Sequence, residues 1–234
     1  MELSRRLQAV ASLVTAGYKL ADIGTDHAYI PIYLTENGII PSAVAMDVRP
    51  GPLKRAKDHV QEHALEDKIE LRLSDGLDKL RPGEAQCAVI AGMGGGLMIH
   101  ILERAGNSLA YLKECILQPQ SETAKVRAFL LQEGFLFIEE KMVQEEGKYY
   151  PMMKVVPGKK EQEQNWSETE LQYGRLLLEK KDPVLYEYLK REGNLKKQIL
   201  KHLQNGGTKR IEDRKEQLRQ ELLCIEKGMK YYAV

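Results

Sequence analysis

Residues 22–31, which read D-I-G-T-D-H-A-Y-I-P, constrain the fold of this chain more than any other stretch. An apolar run leads into the acidic residue Asp22, a turn of small residues begins at Gly24, and a new apolar periodicity follows. This order is typical of the first strand of a nucleotide-binding α/β fold, where the chain turns under a small ligand and enters a helix. The stretch therefore predicts a ligand site at the end of a first strand.

The charges of this turn indicate the kind of ligand. A dinucleotide site uses G-x-G-x-x-G so that backbone N–H groups can approach a pyrophosphate, but only Gly24 is present here. Asp22 and Asp26 would repel a phosphate and attract a ligand that carries a positive centre and an amino group. S-adenosylmethionine, with its sulfonium and α-ammonium groups, fits better than NAD. An NAD-dependent oxidoreductase remains the alternative within α/β folds.

The first 158 residues alternate strand and helix patterns, which predicts a mostly parallel sheet with helices on both faces. The predicted strands are 19–23, 43–48, 69–73, 87–91 and 114–117. Two further strands, 135–143 and 149–156, follow without an intervening helix and predict a hairpin around Glu146-Gly147. An antiparallel last strand on a seven-stranded sheet resembles the Rossmann-like fold of class I methyltransferases.

The character of the sequence changes after residue 158, and we expect a second domain over 159–234. A polar run to Asn165 indicates a linker, and Asp182-Pro183 indicates a helix start. Asn205-Gly206-Gly207 then interrupts a helical pattern whose later part has the apolar spacing of a coiled coil. The sequence therefore predicts an antiparallel coiled-coil hairpin. Its apolar positions are Leu185, Leu189, Ile199, Leu203, Ile211, Leu218, Leu222, Ile225 and Met229.

Composition adds a mild charge asymmetry. The net charge is +1, but residues 159–234 hold 17 Lys and Arg against 13 Asp and Glu, and the first part holds 18 against 21. A basic tail allows nucleic-acid contact, although a solvated helical face looks much the same. The cysteines Cys87, Cys115 and Cys224 are far apart, and Cys87 and Cys115 lie in or beside apolar runs that indicate buried free thiols. No leader and no membrane-length apolar run is recognisable, so we expect a cytoplasmic protein.

Acidic residues and glycines follow four successive predicted strands. Asp47 could accept both ribose hydroxyls, Asp75 could accept the adenine amino protons, and the glycine run at 92–96 allows close approach of the ligand. Each acid alone could equally be a helix cap or a turn residue, but the set points to one site. The predicted cofactor contacts are Arg5, Asp22, Gly24, His27, Asp47, Val48, Asp75, Gly76, Gly92 and Met93.

No metal is expected. His59 and His63 are four residues apart and could share a helix face, but no third ligand is near in sequence. A solvated surface is the better interpretation of this pair. No Ser or Cys lies in a nucleophile context either.

Four stretches resemble the bacterial tRNA (adenine-22-N1)-methyltransferase family. They are the segment at 22–31, Leu-Ser-Arg-Arg-Leu at 3–7, Ala-Gly-Met-Gly-Gly at 91–95 and Leu-Gln-Pro-Gln at 117–120, in family order. The helical hairpin after the catalytic domain also resembles that family. Compared with methyltransferases at large, Asp26 and Ala28 stand where glycines are common.

The resemblance implies transfer of a methyl group from S-adenosylmethionine to N1 of an adenine in the D-arm of tRNA. Neutral adenine N1 carries an in-plane lone pair, so no proton has to leave before attack and the product is a cation. Placement then matters more than a strong base, and the base has to turn out of its stack. We expect Asp26 to support the target base and Tyr29 to pack against it.

Substrate contacts are expected in both predicted domains. The candidates are Arg6, Gln118, Lys196, Lys197, Lys209 and Arg210, with the basic residues binding tRNA phosphates. A solvated coiled coil that dimerises is the alternative for the tail, and a monomer or weak dimer is expected. The alternatives for the whole chain are a methyltransferase acting on another RNA or a small molecule, and a non-catalytic scaffold.

Overall fold

The computed structural model describes residues 1–158, 165–203 and 209–233, which form two units, Met1–Gln164 and Asn165–Val234. The predicted domain boundary after residue 158 lies six residues before this division. The difference falls on residues 159–164, which are outside the described part of the chain.

The apolar runs of the first unit form one sheet. Its strands are β1 Leu20–Ile23, β2 Ala43–Asp47, β3 Ile69–Leu73, β4 Cys87–Gly94, β5 Glu114–Ser121, β6 Leu136–Glu145 and β7 Lys148–Val156. Their order is β3-β2-β1-β4-β5-β7-β6, with β7 antiparallel to both of its neighbours. The predicted sheet of seven strands and its closing hairpin are confirmed. Every residue of β1 and β2 is buried, because helices cover both faces of a parallel sheet.

Helices cover the two faces of this sheet. They are α1 Arg5–Ala11, α2 Tyr29–Glu36, α3 Pro50–Glu62, α4 Gly95–Arg104 and α5 Thr123–Gln132. One core cluster joins Ala21 and Ile23 of β1 to residues of α4 and α5, and the other joins Leu20 to residues of α1, α2 and α3. Because neighbouring strand residues point to opposite faces, a single strand feeds both clusters.

The strand order creates a crevice at one edge of the sheet. The chain moves outward from β1 to β2 and β3, then returns to place β4 on the other side of β1. Ligands of open α/β sheets bind beyond the carboxyl ends of the strands at such a reversal. The segments after β1 and β4 therefore face each other across the predicted site.

Two strands are longer than the sequence indicates. We expected β4 to end at Ala91 and β5 to end at Leu117, but they continue to Gly94 and Ser121. Ala91 pairs with Gln118 and Met93 with Pro119, through an irregular register. Glycines and a proline usually interrupt strands, so the pattern ended both strands too early.

The second unit is helical. It contains α6 Glu168–Tyr173, α7 Arg175–Glu179, α8 Pro183–His202 and α9 Lys209–Lys230. A Cβ on Gly193 would lie 3.4 Å from Ile225, and one on Gly228 would lie 3.3 Å from Leu189, so α8 and α9 run antiparallel. The predicted turn at Asn205-Gly206-Gly207 lies outside the described residues.

The second unit begins with two short helices, α6 and α7. The helices α6 and α7 were not predicted, although Ser167 and Glu170 form a capping box that marks the start of α6. Cys87 and Cys115 are free and buried, as predicted, and Cys224 is also free and buried. Within the described residues, no helix combines the length and the apolar content that a membrane span requires.

Candidate active site

A cavity of about 290 Å³ lies beyond the carboxyl ends of β1 and β4. It is the crevice expected from the strand order, and four separate parts of the chain line it. The lining residues are Arg6, Leu7, Asp22, Gly24, Thr25, Asp26, His27, Tyr29, Ile30, Ala91, Gly92 and Gln120.

Asp22 forms the buried acidic floor of this cavity. The Thr25 hydroxyl donates a hydrogen bond to Asp22 Oδ2 at 2.6 Å. Burial raises the pKa of Asp22 to about 6, and the nearby Asp47 carboxylate adds to the increase. An acid whose ionisation is costly gains from a cationic ligand, because the opposite charge favours its carboxylate form.

The turn after β1 has a left-handed backbone at every second residue. The φ angles are +72° at Gly24, +46° at Asp26 and +56° at Ala28. The φ angle at position 24 favours glycine, and a Cβ there would also lie 2.2 Å from Met93 Cε, so the end of that side chain would have to move. Asp26 and Ala28 thus keep the conformation of the glycines that are common at these positions, without being glycines.

Asp26 and Tyr29 project from this turn at the cavity wall. Asp26 Oδ1 accepts a hydrogen bond from Arg55 Nη2, and His27 Nε2 lies 3.7 Å from Asp26 Oδ2. The rings of His27, Tyr29 and His59 are nearly parallel, with centroids 4.9 to 5.4 Å apart. We expected His59 on a solvated surface, which is wrong, because its ring packs against two residues of the cavity.

Arg6 reaches the cavity from α1. Arg6 Nη1 donates to Gln118 Oε1 at 2.8 Å, and the guanidinium carbon lies 5.7 Å from the centre of the Tyr150 ring. Gln118 was expected to contact the substrate, but it is completely buried because β5 continues through it. It orients Arg6, and Gln120 lines the cavity instead.

The remaining predicted cofactor residues lie outside this lining. Asp47 is buried at the end of β2, where one carboxylate oxygen accepts the Arg49 N–H at 2.9 Å. Asp75 is exposed and accepts a hydrogen bond from Arg104 Nη1 at 2.8 Å. Val48 is 59% exposed. Residues that could hold a nucleoside thus continue from the cavity along the ends of β2 and β3.

Other predicted residues divide into two groups. Gly76 takes a left-handed φ of +56°, and Met93 packs on Gly24, so both shape the edge of the sheet. Arg5 is exposed and does not line the cavity.

Among the described residues, no cluster of three or more His, Cys, Asp or Glu could hold a metal ion. The expected absence of a metal stays a prediction.

The basic residues of the second unit differ in their surroundings. Lys197, Lys209 and Arg210 are exposed. Lys196 Nζ lies 3.0 Å from a carboxylate oxygen of Glu192 and 3.1 Å from one of Glu221. Its charge is therefore balanced within the unit, which makes it a weaker candidate for a phosphate contact than the three exposed residues.

A family model described as tRNA (adenine(22)-N(1))-methyltransferase matches residues 20–227. The chain belongs to this family. The matched range runs from β1 to α9 and includes the acids at the ends of β1, β2 and β3. The family and the enzyme class predicted from the sequence are confirmed, and the fold class is that of a Rossmann-like methyltransferase.

Individual relatives agree with this membership. The tRNA (adenine(22)-N(1))-methyltransferase of Bacillus subtilis (strain 168) is 39% identical over 153 residues, which are 65% of this chain and 64% of that protein. A Streptococcus pneumoniae protein solved in complex with S-adenosyl-L-methionine has a TM-score of 0.86 and 32% identity, over 97% of this chain and 100% of that one. Mycoplasma capricolum TrmK, solved with S-adenosyl-homocysteine, has a TM-score of 0.84 and 26% identity, over 99% of each chain.

The raised pKa of Asp22 predicts a pH-dependent stability. Between its ordinary pKa of 3.8 and about 6, the folded protein keeps a proton that the unfolded chain has lost. The stability from this group is therefore complete below pH 3.8 and is lost as the pH rises through 6. We expect the wild type to lose about 3 kcal/mol of unfolding free energy, relative to Asp22→Asn, as the pH rises from about 4 to about 7. Urea titrations of both proteins at several pH values measure this difference. A difference between the two proteins that stays constant with pH would contradict this assignment.

Proposed function

We propose that this chain transfers a methyl group from S-adenosylmethionine to N1 of adenine 22 in tRNA, and that the cavity beyond β1 and β4 is where donor and base meet. The observation that carries the proposal is the left-handed turn, which places Asp22 beneath the cavity and Asp26 and Tyr29 at its wall. Membership in the tRNA (adenine(22)-N(1))-methyltransferase family supports the choice of base and atom.

The residues at the strand ends fit S-adenosylmethionine. The buried acid Asp22 suits the positive methionine end, and Asp47 and Asp75, on the next two strand ends, suit the ribose hydroxyls and the adenine amino group. The exposed side chain of Val48 offers an apolar surface to a purine ring. When bound, the cofactor supplies an electrophilic methyl group.

The chemistry asks for placement of the adenine and for compensation of a growing positive charge. The N1 lone pair attacks without prior loss of a proton, and alkylation leaves the base cationic. A carboxylate at Asp26 can accept the adenine N6–H and favour this charge. The ring of Tyr29, 37% exposed, provides a face against which an extruded base can pack.

Phosphate contacts on the second unit would supply affinity without reading the sequence. Lys197, Lys209 and Arg210 are the exposed candidates on α8 and α9. The tRNA substrate also supports a cytoplasmic location for the enzyme.

The direct test maps the methylated nucleotide. We expect the protein, incubated with labelled S-adenosylmethionine and unmodified tRNA, to place label on N1 of adenine 22 only. A transcript with guanine at position 22 should remain unlabelled. Label at another nucleotide, or equal labelling of both transcripts, would contradict the proposed target.

The Asp26→Ala and Asp47→Ala variants should lose different properties, turnover in the first and cofactor affinity in the second. We expect Asp26→Ala to lower kcat by about 100-fold with little change in cofactor affinity, because its carboxylate acts on the base. Asp47→Ala should weaken cofactor binding by about tenfold, since one hydrogen-bonded carboxylate is lost. Calorimetry with S-adenosyl-homocysteine measures the affinity, and single-turnover methylation measures the chemical step. Normal turnover in Asp26→Ala removes Asp26 from the mechanism, and unchanged binding by Asp47→Ala removes the ribose contact.

The contribution of the exposed basic residues of α8 and α9 can be tested through the salt dependence of tRNA binding. Replacing Lys197, Lys209 and Arg210 by Gln should make the dependence of log Kd for tRNA on log salt shallower by up to about 3. The matched control replaces Lys190, Lys227 and Lys230, which are also exposed on the same two helices. Equal effects of the two triple variants would show that only net charge matters.

A further inference from the structure

Two side chains of α3 hold the turn that carries Asp26 and Tyr29. Arg55 and His59 are four residues apart, so they lie on one face of the helix. Arg55 Nη2 donates to Asp26 Oδ1, and His59 Nδ1 lies 3.1 Å from the carbonyl oxygen of His27. The sequence assigns a role to neither residue.

The contact of His59 with the His27 carbonyl indicates which ring nitrogen carries a hydrogen. A carbonyl oxygen can only accept a hydrogen bond, so Nδ1 carries the hydrogen and donates it. The His59 ring centroid also lies 5.1 Å from that of His27 and 5.4 Å from that of Tyr29. His59 therefore acts on the turn in two ways, through one backbone hydrogen bond and through ring packing.

The turn needs such support because of its backbone. Asp26 and Ala28 have left-handed φ angles, which side chains with a Cβ rarely adopt. Such conformations persist only where the surroundings determine them. Arg55 contacts the first of these residues, and His59 contacts the residue between them. The two contacts of α3 thus act where the backbone is least favourable.

The ion pair of Arg55 contributes little to folding itself. The side chains of Arg55 and Asp26 are 49% and 54% exposed, and exposed ion pairs add little stability. What the pair does fix is the direction of the Asp26 carboxylate, whose other oxygen lies 3.7 Å from His27 Nε2. A loss of this contact should therefore change the chemistry far more than the melting temperature.

We propose that Arg55 and His59 are positioning residues, which hold Asp26 and Tyr29 in the geometry that methyl transfer to adenine requires. This inference rests on the proposed function, because it assigns Asp26 and Tyr29 to the reacting base. It adds two residues of a neighbouring helix that act on the reaction only through the turn.

The first experiment compares Arg55→Gln with Lys57→Gln. Both remove one exposed positive charge from α3, but Arg55 alone is seen to contact Asp26. We expect Arg55→Gln to lower kcat about tenfold with an unchanged KM for tRNA, because a small misplacement of a reacting group is costly. Lys57→Gln should stay within about twofold of the wild type. In an Asp26→Ala background, Arg55→Gln should have less than about a twofold effect, because the two changes act on one interaction.

The second experiment separates the two contacts of His59. His59→Asn keeps an N–H close to the position of Nδ1 and removes the ring, whereas His59→Phe keeps a ring and removes the donor. We expect Asn to retain kcat within about threefold and Phe to lose about tenfold. His63→Asn is the control, because His63 contacts Glu36 and not the turn.

A third measurement is independent of catalysis. The Ala28 N–H donates to the Thr25 carbonyl at 2.9 Å within the turn, and its hydrogen exchange reports the order of this segment. We expect exchange about fivefold faster in Arg55→Gln and His59→Phe than in the wild type and in both controls. Exchange at wild-type rates in Arg55→Gln and His59→Phe would overturn the inference. A double variant of Arg55→Gln and Asp26→Ala whose loss of kcat equals the product of the two single losses would also overturn it. If the wild type does not methylate adenine 22, the proposed function fails, and the exchange data still decide whether α3 holds the turn.

Discussion

The left-handed turn after β1 is the constraint on which the rest of the site depends. Gly24, Asp26 and Ala28 all have left-handed φ angles, a conformation that glycine adopts freely and that costs a residue such as Ala28 about 1–2 kcal/mol. In this conformation the chain turns within a few residues, from the buried Asp22 to Asp26 and Tyr29 at the cavity wall. An extended or helical path would carry Asp26 and Tyr29 away from the crevice between β1 and β4.

The sheet topology brings the other parts of the site to this turn. Because β4 lies beside β1, its glycine segment faces the turn, and a Cβ on Gly92 would lie 3.6 Å from Arg6 Nη1 and 3.7 Å from Gln120 Nε2. Arg6 arrives from α1 and is held by Gln118 and the Tyr150 ring. Segments more than a hundred residues apart in sequence therefore share one cavity, and glycine at position 92 leaves room between them.

The sequence predicts the features of this site that are local and misses those that depend on tertiary packing. Asp26 and Tyr29 can be assigned because they directly follow an apolar strand pattern, and their distance from Asp22 is set by the turn. Gln118 was predicted to contact the substrate, and its burial is not evident from the sequence, because that burial depends on pairing with Ala91 along an extended β5. His59 shows the same limit: a histidine on a polar helix gives no sign that the helix packs against a turn 30 residues earlier.

The burial of Asp22 lowers the folding stability of the protein at neutral pH. Raising the pKa of Asp22 from 3.8 to about 6 costs about 3 kcal/mol of folding free energy at neutral pH. A cation bound beside Asp22 restores the preference for the carboxylate and returns part of this cost as binding energy. In the proposed function, a donor that carries positive charge is favoured by this coupling, whereas its demethylated product, which has lost the sulfonium charge, gains less from it. Under that proposal, the burial of Asp22 favours exchange of the product for a new methyl donor.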